Sequence, residues 1–175
     1  MGSQGVPPAA LRPGPSPKGS PGGESGRLWE SGMDTRALAA TAARLETLAY
    51  AALRLVAGAM FAFHGAQKIL GWLPAGPAPA LGTQLWFGGI IELVGGTLIA
   101  LGLFTRAAAF LASGTMAVAY TQFHWKLAVA NFAWLPSVNK GELAALYCFL
   151  FLFVMARGPG PASLDAVLRG GARAR

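Results

Sequence analysis

Cysteine and charge are both scarce in this sequence. Its 175 residues hold one cysteine, and 12% of them are charged. A single cysteine excludes an internal disulfide and an iron–sulfur cluster held by several thiolates. Haem-attachment, P-loop and dinucleotide-binding motifs do not occur either. Cys148 lies in an apolar run and is better interpreted as a small core residue than as a redox centre, so the sequence shows no cofactor site of its own.

Apolar residues, in contrast, make up 54% of the chain and are gathered into long blocks. A soluble domain usually has about 25% charged residues, far more than this chain. Four blocks cover approximately residues 48–70, 85–104, 107–125 and 141–156. Apolar blocks that approach ~20 residues are typical of membrane-spanning helices, because a backbone in lipid must satisfy its own hydrogen bonds. We therefore predict an all-α integral membrane protein, a four-helix bundle within residues 35–168.

The two ends of the chain differ from these blocks. Residues 1–34 are rich in proline and glycine and contain few large apolar side chains. Such a segment buries too little surface to order itself, so we predict a disordered tail. Residues 169–175 are predicted to form a short basic tail at the other end.

Basic residues are distributed unevenly about the four predicted helices. The side that carries both termini has seven arginines, and the other side has three lysines, Lys68, Lys126 and Lys140. The arginines are Arg36, Arg44, Arg106, Arg157, Arg169, Arg173 and Arg175. Because positive charge accumulates on the cytoplasmic side, both termini are predicted to lie in the cytoplasm. Contact with the headgroups of the lipid bilayer then explains the net charge of +7 without a nucleic-acid partner.

Ionisable residues gather in the outer half of the predicted bundle. His64 and Lys68 lie one turn apart in the first helix, and a charge in lipid is costly unless it faces the protein interior. We predict an outward-opening polar pocket formed by His64, Lys68, Glu92, Tyr120, His124 and Glu142. Lys68 would pair with Glu92 or Glu142. The alternative is that these residues only hold helices together and bind no ligand.

A metal site is a weaker interpretation of the same residues. Two histidines and two glutamates could ligate one ion. However, the sequence contains no H-x-x-x-H or E-x-x-H spacing that would place two ligands on one helix face. We therefore predict no metal site.

Small residues repeat every seven positions on the first two helices. Gly58 and Gly65 on the first, and Gly88, Gly95 and Gly102 on the second, are typical of a close contact between helices. Two arginines also have structural interpretations. Arg54 is expected to extend to the cytoplasmic interface, and Arg106 lies in the tight turn between the second and third helices. The predicted structural residues are Arg54, Gly58, Gly65, Gly88, Gly95, Gly102 and Arg106.

Several segments of the chain resemble a known family. They are RLVAGAMFAFHGAQKILG, ELVGGTLIALGLFTRAAA, MAVAYTQFH, NKGELAALY and GPGPASLDAVL, which follow one another between approximately residues 50 and 168. In order and spacing they resemble the DoxX family of small four-helix bacterial membrane proteins. The resemblance implies a multi-pass protein of the bacterial inner (plasma) membrane. The positions that match the family's pattern are Arg54, His64, Lys68, Glu92, Arg106, His124, Asn139, Glu142, Ser163 and Asp165.

The resemblance also bears on function. The family takes its name from a subunit associated with a terminal quinol oxidase, and some relatives accompany thiosulfate:quinone oxidoreductase activity. It thus implies an accessory or quinone-facing subunit of a respiratory or oxidative-stress redox assembly, with other membrane or redox proteins as partners, rather than an autonomous enzyme. A small transporter or channel with an outer polar vestibule is the alternative, although the sequence shows no inverted repeat and no broken helix. The oligomeric state and any catalytic residue stay open.

Overall fold

A computed structural model of the chain describes Gly14 and residues 35–72 and 76–173. By its internal contacts the chain divides into two units, Met1–Thr41 and Ala42–Arg175. Apart from Gly14, the predicted disordered tail lies outside the described residues. Within the described ranges the regular elements are all helical and include no strand, which confirms the all-α prediction.

Six α-helices follow one another in the described residues. They are α1 (Thr35–Leu70), α2 (Gln84–Leu101), α3 (Thr105–Ala119), the short α4 (Pro136–Asn139), α5 (Glu142–Arg157) and α6 (Leu164–Arg173). By length and composition, two of these, α1 and α2, could cross a membrane. The first helix begins earlier than the predicted residue 48. At the other end, α6 extends to Arg173, into the residues 169–175 that were predicted as a basic tail.

Two stretches of π-helix, in which backbone hydrogen bonds skip five residues instead of four, depart from the sequence prediction of regular helices. One occupies Ile91–Gly95 in the middle of α2. The other, Tyr120–Trp125, directly continues α3. Such turns are rare and occur frequently at functional sites. Glu92 lies in the first and His124 in the second, so both stretches carry residues of the predicted polar pocket.

Helices α1 and α2 cross at very short distance through their glycines. A Cβ atom added to Gly58 would lie 2.5 Å from the backbone nitrogen of Ala100, and one added to Gly65 would overlap the backbone of Leu93. Gly96 is equally tight against Ala62 on the facing helix. These positions let the two backbones touch, which is how helices associate in lipid.

The predicted glycine face of α2 was wrong by one residue. A Cβ on Gly88 would meet nothing within 4 Å, and one on Gly95 would make ordinary contacts at 3.9 Å. Their neighbours Gly89 and Gly96 face α1 instead. Both members of each Gly-Gly pair recur every seven residues, so spacing alone cannot identify the contact face.

The core lies where α3 and α5 pack together beside α1. Ala109 and Ala112 of α3 are fully buried, and their small side chains let α5 approach closely. Phe61 of α1 meets Phe151 of α5 with ring centroids 4.8 Å apart. Cys148 packs against this cluster at the partly buried edge of the core.

Arg54 is buried, and its predicted extension to the membrane interface was wrong. Its side chain is 3% exposed. It donates hydrogen bonds of 2.5 Å and 2.9 Å to the carbonyls of Ile99 and Ala100, and one of 2.6 Å to Ala162. The last carbonyls of a helix have no partner within the helix. Arg54 supplies it at the end of α2, where Gly102 takes the left-handed backbone conformation, with φ of 71°.

The start of α3 is capped from a distant part of the sequence. The Asp165 carboxylate accepts hydrogen bonds from the backbone nitrogens of Phe104 at 2.9 Å and Thr105 at 3.0 Å, and from the Thr105 hydroxyl at 3.0 Å. Arg106 donates to the carbonyls of Met155 and Ala156 at the end of α5. Together with Arg54, these contacts tie the ends of four helices at one end of the molecule, here called the Arg54 end.

Candidate functional site

Lys68, in the last turn of α1, forms an ion pair with Glu92 of α2, away from the Arg54 end of the molecule. The Lys68 Nζ atom lies 2.6 Å from both carboxylate oxygens of Glu92. The Glu92 side chain is 6% exposed and that of Lys68 is 36% exposed. The sequence offered Glu92 and Glu142 as partners for Lys68, and the structure places Lys68 on Glu92.

The glycine crossing between α1 and α2 positions this pair. A Cβ on Gly89 would lie 3.1 Å from the Cβ of Lys68, so the missing side chain leaves room for the lysine stem. The π-helical stretch of α2 begins two residues later and carries Glu92. Close backbone approach and irregular helix geometry thus act together to bury the carboxylate beside the ammonium group.

The ion pair forms part of the wall of a cavity of about 260 Å³, here called the polar cavity. Four of the six residues predicted for the polar pocket line it, namely His64, Lys68, Glu92 and His124. Lys140 and Tyr147 also line this cavity, and its remaining wall is apolar. No group of the described residues hydrogen-bonds to His64, which leaves both of its ring nitrogens available to a ligand.

Glu142 and Tyr120, the other two predicted residues, do not line the polar cavity. Glu142 is exposed in the first turn of α5. It lies about 100–160° around the helix from the cavity-lining Leu143, Ala144 and Tyr147, so its side chain is directed away from the middle of that lining. The Tyr120 hydroxyl donates to the carbonyl of Trp134 and accepts from the Asn139 side chain, which is a structural role in the loop before α5.

The loop that follows α3 holds His124 in place. The Nδ1 atom of His124 lies 3.4 Å from the carbonyl oxygen of Asn139. Asn139 in turn donates to Ala133 at 2.9 Å and accepts from the nitrogen of Gly141 at 2.8 Å. When Nδ1 of a neutral histidine donates to a carbonyl, its Nε2 is an acceptor. Because a carbonyl oxygen can only accept, this contact favours the tautomer with hydrogen on Nδ1 and leaves Nε2 as the acceptor for a ligand.

An apolar groove of about 530 Å³ runs between α2 and α3. Its walls include Phe87 and Phe110, which are 55% and 63% exposed. Sequence reasoning missed this groove. The available signal was Gly88 and Gly114, because a glycine in an apolar helix can face a groove as well as a neighbouring helix. A Cβ at either position would meet nothing within 4 Å.

The polar cavity and the apolar groove share five lining residues, which are Met116, Ala119 and the trio of Lys68, Glu92 and His124. The other charged and polar side chains of the polar cavity, His64, Lys140 and Tyr147, therefore lie on one side of this trio, and the apolar groove lies on the other. Lys68 and Glu92 offset each other's charge. The other hydrogen-bond donors of the polar cavity are Lys140 and the two histidines, and the histidines can also exchange protons with a ligand. Among the described residues, no three His, Cys, Asp or Glu side chains are grouped so that they could hold a metal ion.

Comparisons with known proteins identify the family. The DoxX family model matches residues 49–125. An uncharacterized protein of Haemophilus influenzae is 42% identical over 116 residues, which are 65% of this chain and 85% of that relative. The chain belongs to the DoxX family. This membership and the two long apolar helices indicate a membrane protein.

The family match covers most of the candidate site. The segment that matches DoxX runs from α1 to the end of the π-helical stretch and includes His64, Lys68, Glu92 and His124. It ends before Lys140 and α5. No solved structure matches the chain.

Proposed function

We propose that this DoxX protein binds the headgroup of a quinone in the polar cavity and serves as an accessory subunit of a respiratory or oxidative-stress redox assembly. The observation that carries this proposal is the position of Lys68, Glu92 and His124 between the polar cavity and the apolar groove. A quinone has the same two-sided chemistry, with a ring bearing two carbonyl acceptors and a long apolar tail.

The polar cavity has the groups that a quinone headgroup requires. Lys68 donates hydrogen bonds, and His64 and His124 can donate or accept them. Reduction of a quinone to a quinol takes up two electrons and two protons, and histidines exchange protons at physiological pH. The sequence carries no haem, iron–sulfur or dinucleotide motif. We therefore assign the electrons to a partner subunit and the binding and proton exchange to this chain.

The proposed orientation places four spans in the bacterial plasma membrane. They are α1, α2, α3 with its π-helical continuation, and α5. The last has 16 residues, or about 24 Å at 1.5 Å per residue, so it spans a bilayer core of about 30 Å only with Lys140 and Arg157 reaching the interfaces. The seven-to-three distribution of basic residues supports an orientation with both termini in the cytoplasm and the polar cavity near the outer surface.

Transport by the same cavity is the alternative, and the packing disfavours it. Between the polar cavity and the Arg54 end lie Phe61, Ile99, Phe151 and Val154, whose side chains are almost completely buried. These residues fill the path that a transported solute would need. A site that opens in one direction fits ligand binding better than passage across the membrane.

A direct binding measurement tests this proposal. The full chain is reconstituted in lipid nanodiscs, and a methoxy-substituted benzoquinone without a tail is titrated while quenching of tryptophan fluorescence is recorded. His64→Gln should weaken binding by about fivefold, because one lost hydrogen bond is worth about 1 kcal/mol. Its melting temperature should stay unchanged, since His64 bonds to no described residue. Absence of binding by the wild type, or equal binding by His64→Gln, would contradict the proposal.

A further inference from the structure

We infer that the apolar groove between α2 and α3 holds the isoprenoid tail of the quinone, so that the ligand reaches the polar cavity sideways from the bilayer. This inference rests on the proposed function, because it concerns the same ligand. It adds the route of access and the part of the molecule that selects a tailed quinone.

The sizes of the two spaces favour one ligand that occupies both. Ligand pockets usually measure about 300–1,000 Å³. The polar cavity, at about 260 Å³, falls below that range and suits a single ring. The apolar groove, at about 530 Å³, falls within it. Because Lys68, Glu92 and His124 line both spaces, the two adjoin at this trio, and a ring bound there has the groove beside it for its tail.

The groove's surface has the chemistry of a tail-binding site. Phe87, Phe110 and Leu111 line it and are 55%, 63% and 56% exposed. Gly88 and Gly114 contribute no side chains to fill it. In a membrane this surface faces lipid, so a tail could lie along it without crossing water.

The groove favours binding of a tailed quinone because of where it holds the tail, and not because its contacts with the tail are stronger than those of lipid. Lipid chains are as apolar as the groove, so a tail gains little by exchanging one for the other. Without the groove, however, a ring bound beside Lys68 would force its tail across polar groups or into water, which exposes apolar surface and weakens binding. Filling the groove should therefore block a tailed quinone and spare a tail-less one.

Two other occupants are less compatible with the geometry. A phospholipid brings two chains and a phosphate, whereas one groove leads to a polar cavity that suits a single ring. A helix from a second copy of the chain would press an apolar face on Lys68 and Glu92 without supplying hydrogen bonds to them. A ligand with one apolar tail and a polar ring fits both the apolar groove and the polar cavity.

The substitution Gly114→Leu fills the groove, and Ala117→Leu is its matched control. A Cβ atom at Gly114 would meet nothing within 4 Å, so a leucine side chain starts there in open space and takes up room in the groove that Gly114 lines. Ala117 is exposed on the same helix and does not line the groove. Each variant is reconstituted as the full chain in nanodiscs and titrated with a long-tailed ubiquinone and with the tail-less benzoquinone. Native mass spectrometry of the same samples records oligomeric state and retained lipid.

The inference predicts that Gly114→Leu weakens binding of the tailed quinone at least tenfold and changes binding of the tail-less quinone less than twofold. Ala117→Leu should change neither. Undiminished binding of tailed quinone by Gly114→Leu would overturn the tail site and leave the proposed function standing. Failure of the wild type to bind either quinone would overturn both. A changed oligomeric state, or loss of a retained phospholipid, in Gly114→Leu alone would assign the groove to a second copy or to that lipid and would also overturn the inference.

Discussion

Glu92 supplies the counter-charge for Lys68 near the end of α1. Its carboxylate is nearly buried, and both oxygens lie 2.6 Å from the ammonium group. Replacing Glu92 with glutamine keeps the volume but leaves Lys68 without a counter-charge. We expect the free energy of unfolding to fall by about 1–3 kcal/mol, the cost of a hydrogen-bonding group left unsatisfied. Unfolding of the detergent-solubilised protein measures this loss.

The second ion pair of the described residues provides the control. Arg157 and Glu46 lie 2.8 Å apart, but their side chains are 35% and 63% exposed. Exposed pairs contribute about 0–1 kcal/mol, so Glu46→Gln should cost much less than Glu92→Gln. Equal losses for the two variants would show that the Lys68–Glu92 pair is no more than a surface interaction.

Asp165 should make stability depend on pH at the acid end. Partial burial would raise the pKa of its carboxyl, but the hydrogen bonds from Thr105 and Phe104, with the charge of Arg169, outweigh burial and lower it. A lowered pKa in the folded state means that the stabilisation is present above the ordinary value of 3.8 and is lost as the pH falls below it. Melting temperature measured from pH 7 down to pH 3 should therefore drop at the acid end.

The variant Asp165→Ala isolates this effect. Without the carboxylate, α3 loses its cap, and we expect a loss of about 0.5–2 kcal/mol at neutral pH. The drop in melting temperature between pH 5 and pH 3 should also become smaller than in the wild type. An unchanged acid profile would show that other carboxylates govern it.

The crossing of α1 and α2 can be tested with two adjacent glycines. Alanine at Gly96 would overlap the backbone of Ala62, whereas alanine at Gly95 would make ordinary contacts at 3.9 Å. Gly96→Ala should lower the melting temperature and separate the helices. Gly95→Ala should leave it unchanged or raise it, because alanine favours a helix by about 1 kcal/mol over glycine. A larger drop in melting temperature for Gly95→Ala than for Gly96→Ala would contradict this crossing and support the contact face that was predicted from the sequence.

Hydrophobic pattern predicted where these helices lie, but not their internal geometry. Long apolar blocks mark α2 and α5 because lipid and core both select apolar side chains. The same uniformity hides the π-helical stretches at Ile91–Gly95 and Tyr120–Trp125, since apolar residues suit either hydrogen-bonding pattern. The sequence also did not show whether Gly95 or Gly96 faces α1, because both glycines belong to repeats of seven residues.

The candidate site was predictable in part. Depth along the predicted helices placed His64, Lys68, Glu92 and His124 near one another, and these four line the polar cavity. Depth along a helix does not predict the direction in which a side chain points around it. The prediction therefore included Glu142, whose side chain points away from the polar cavity. Arg54 was misplaced because nothing local shows that the carbonyls it reaches lie 45 and 108 residues later.

The orientation of the whole molecule is open to a simple measurement. The uneven distribution of basic residues predicts both termini in the cytoplasm. A reporter that is active only in the periplasm, fused to the C-terminus, should give no signal. The same reporter inserted in the loop between α1 and α2, at Gly76, should be active. A strong C-terminal signal would reverse the orientation and place the polar cavity at the cytoplasmic surface.

The proposal that this DoxX protein binds a quinone at the junction of its polar cavity and apolar groove is tested by photolabelling in native membranes. A tailed quinone carrying a photoreactive group on its ring is crosslinked to the full chain, and the labelled residues are identified by mass spectrometry. The proposal predicts labels on residues around the ion pair, such as His64, Lys68 and His124, that excess unlabelled quinone removes. Labels confined to other parts of the chain, or labels that excess quinone does not reduce, would contradict it.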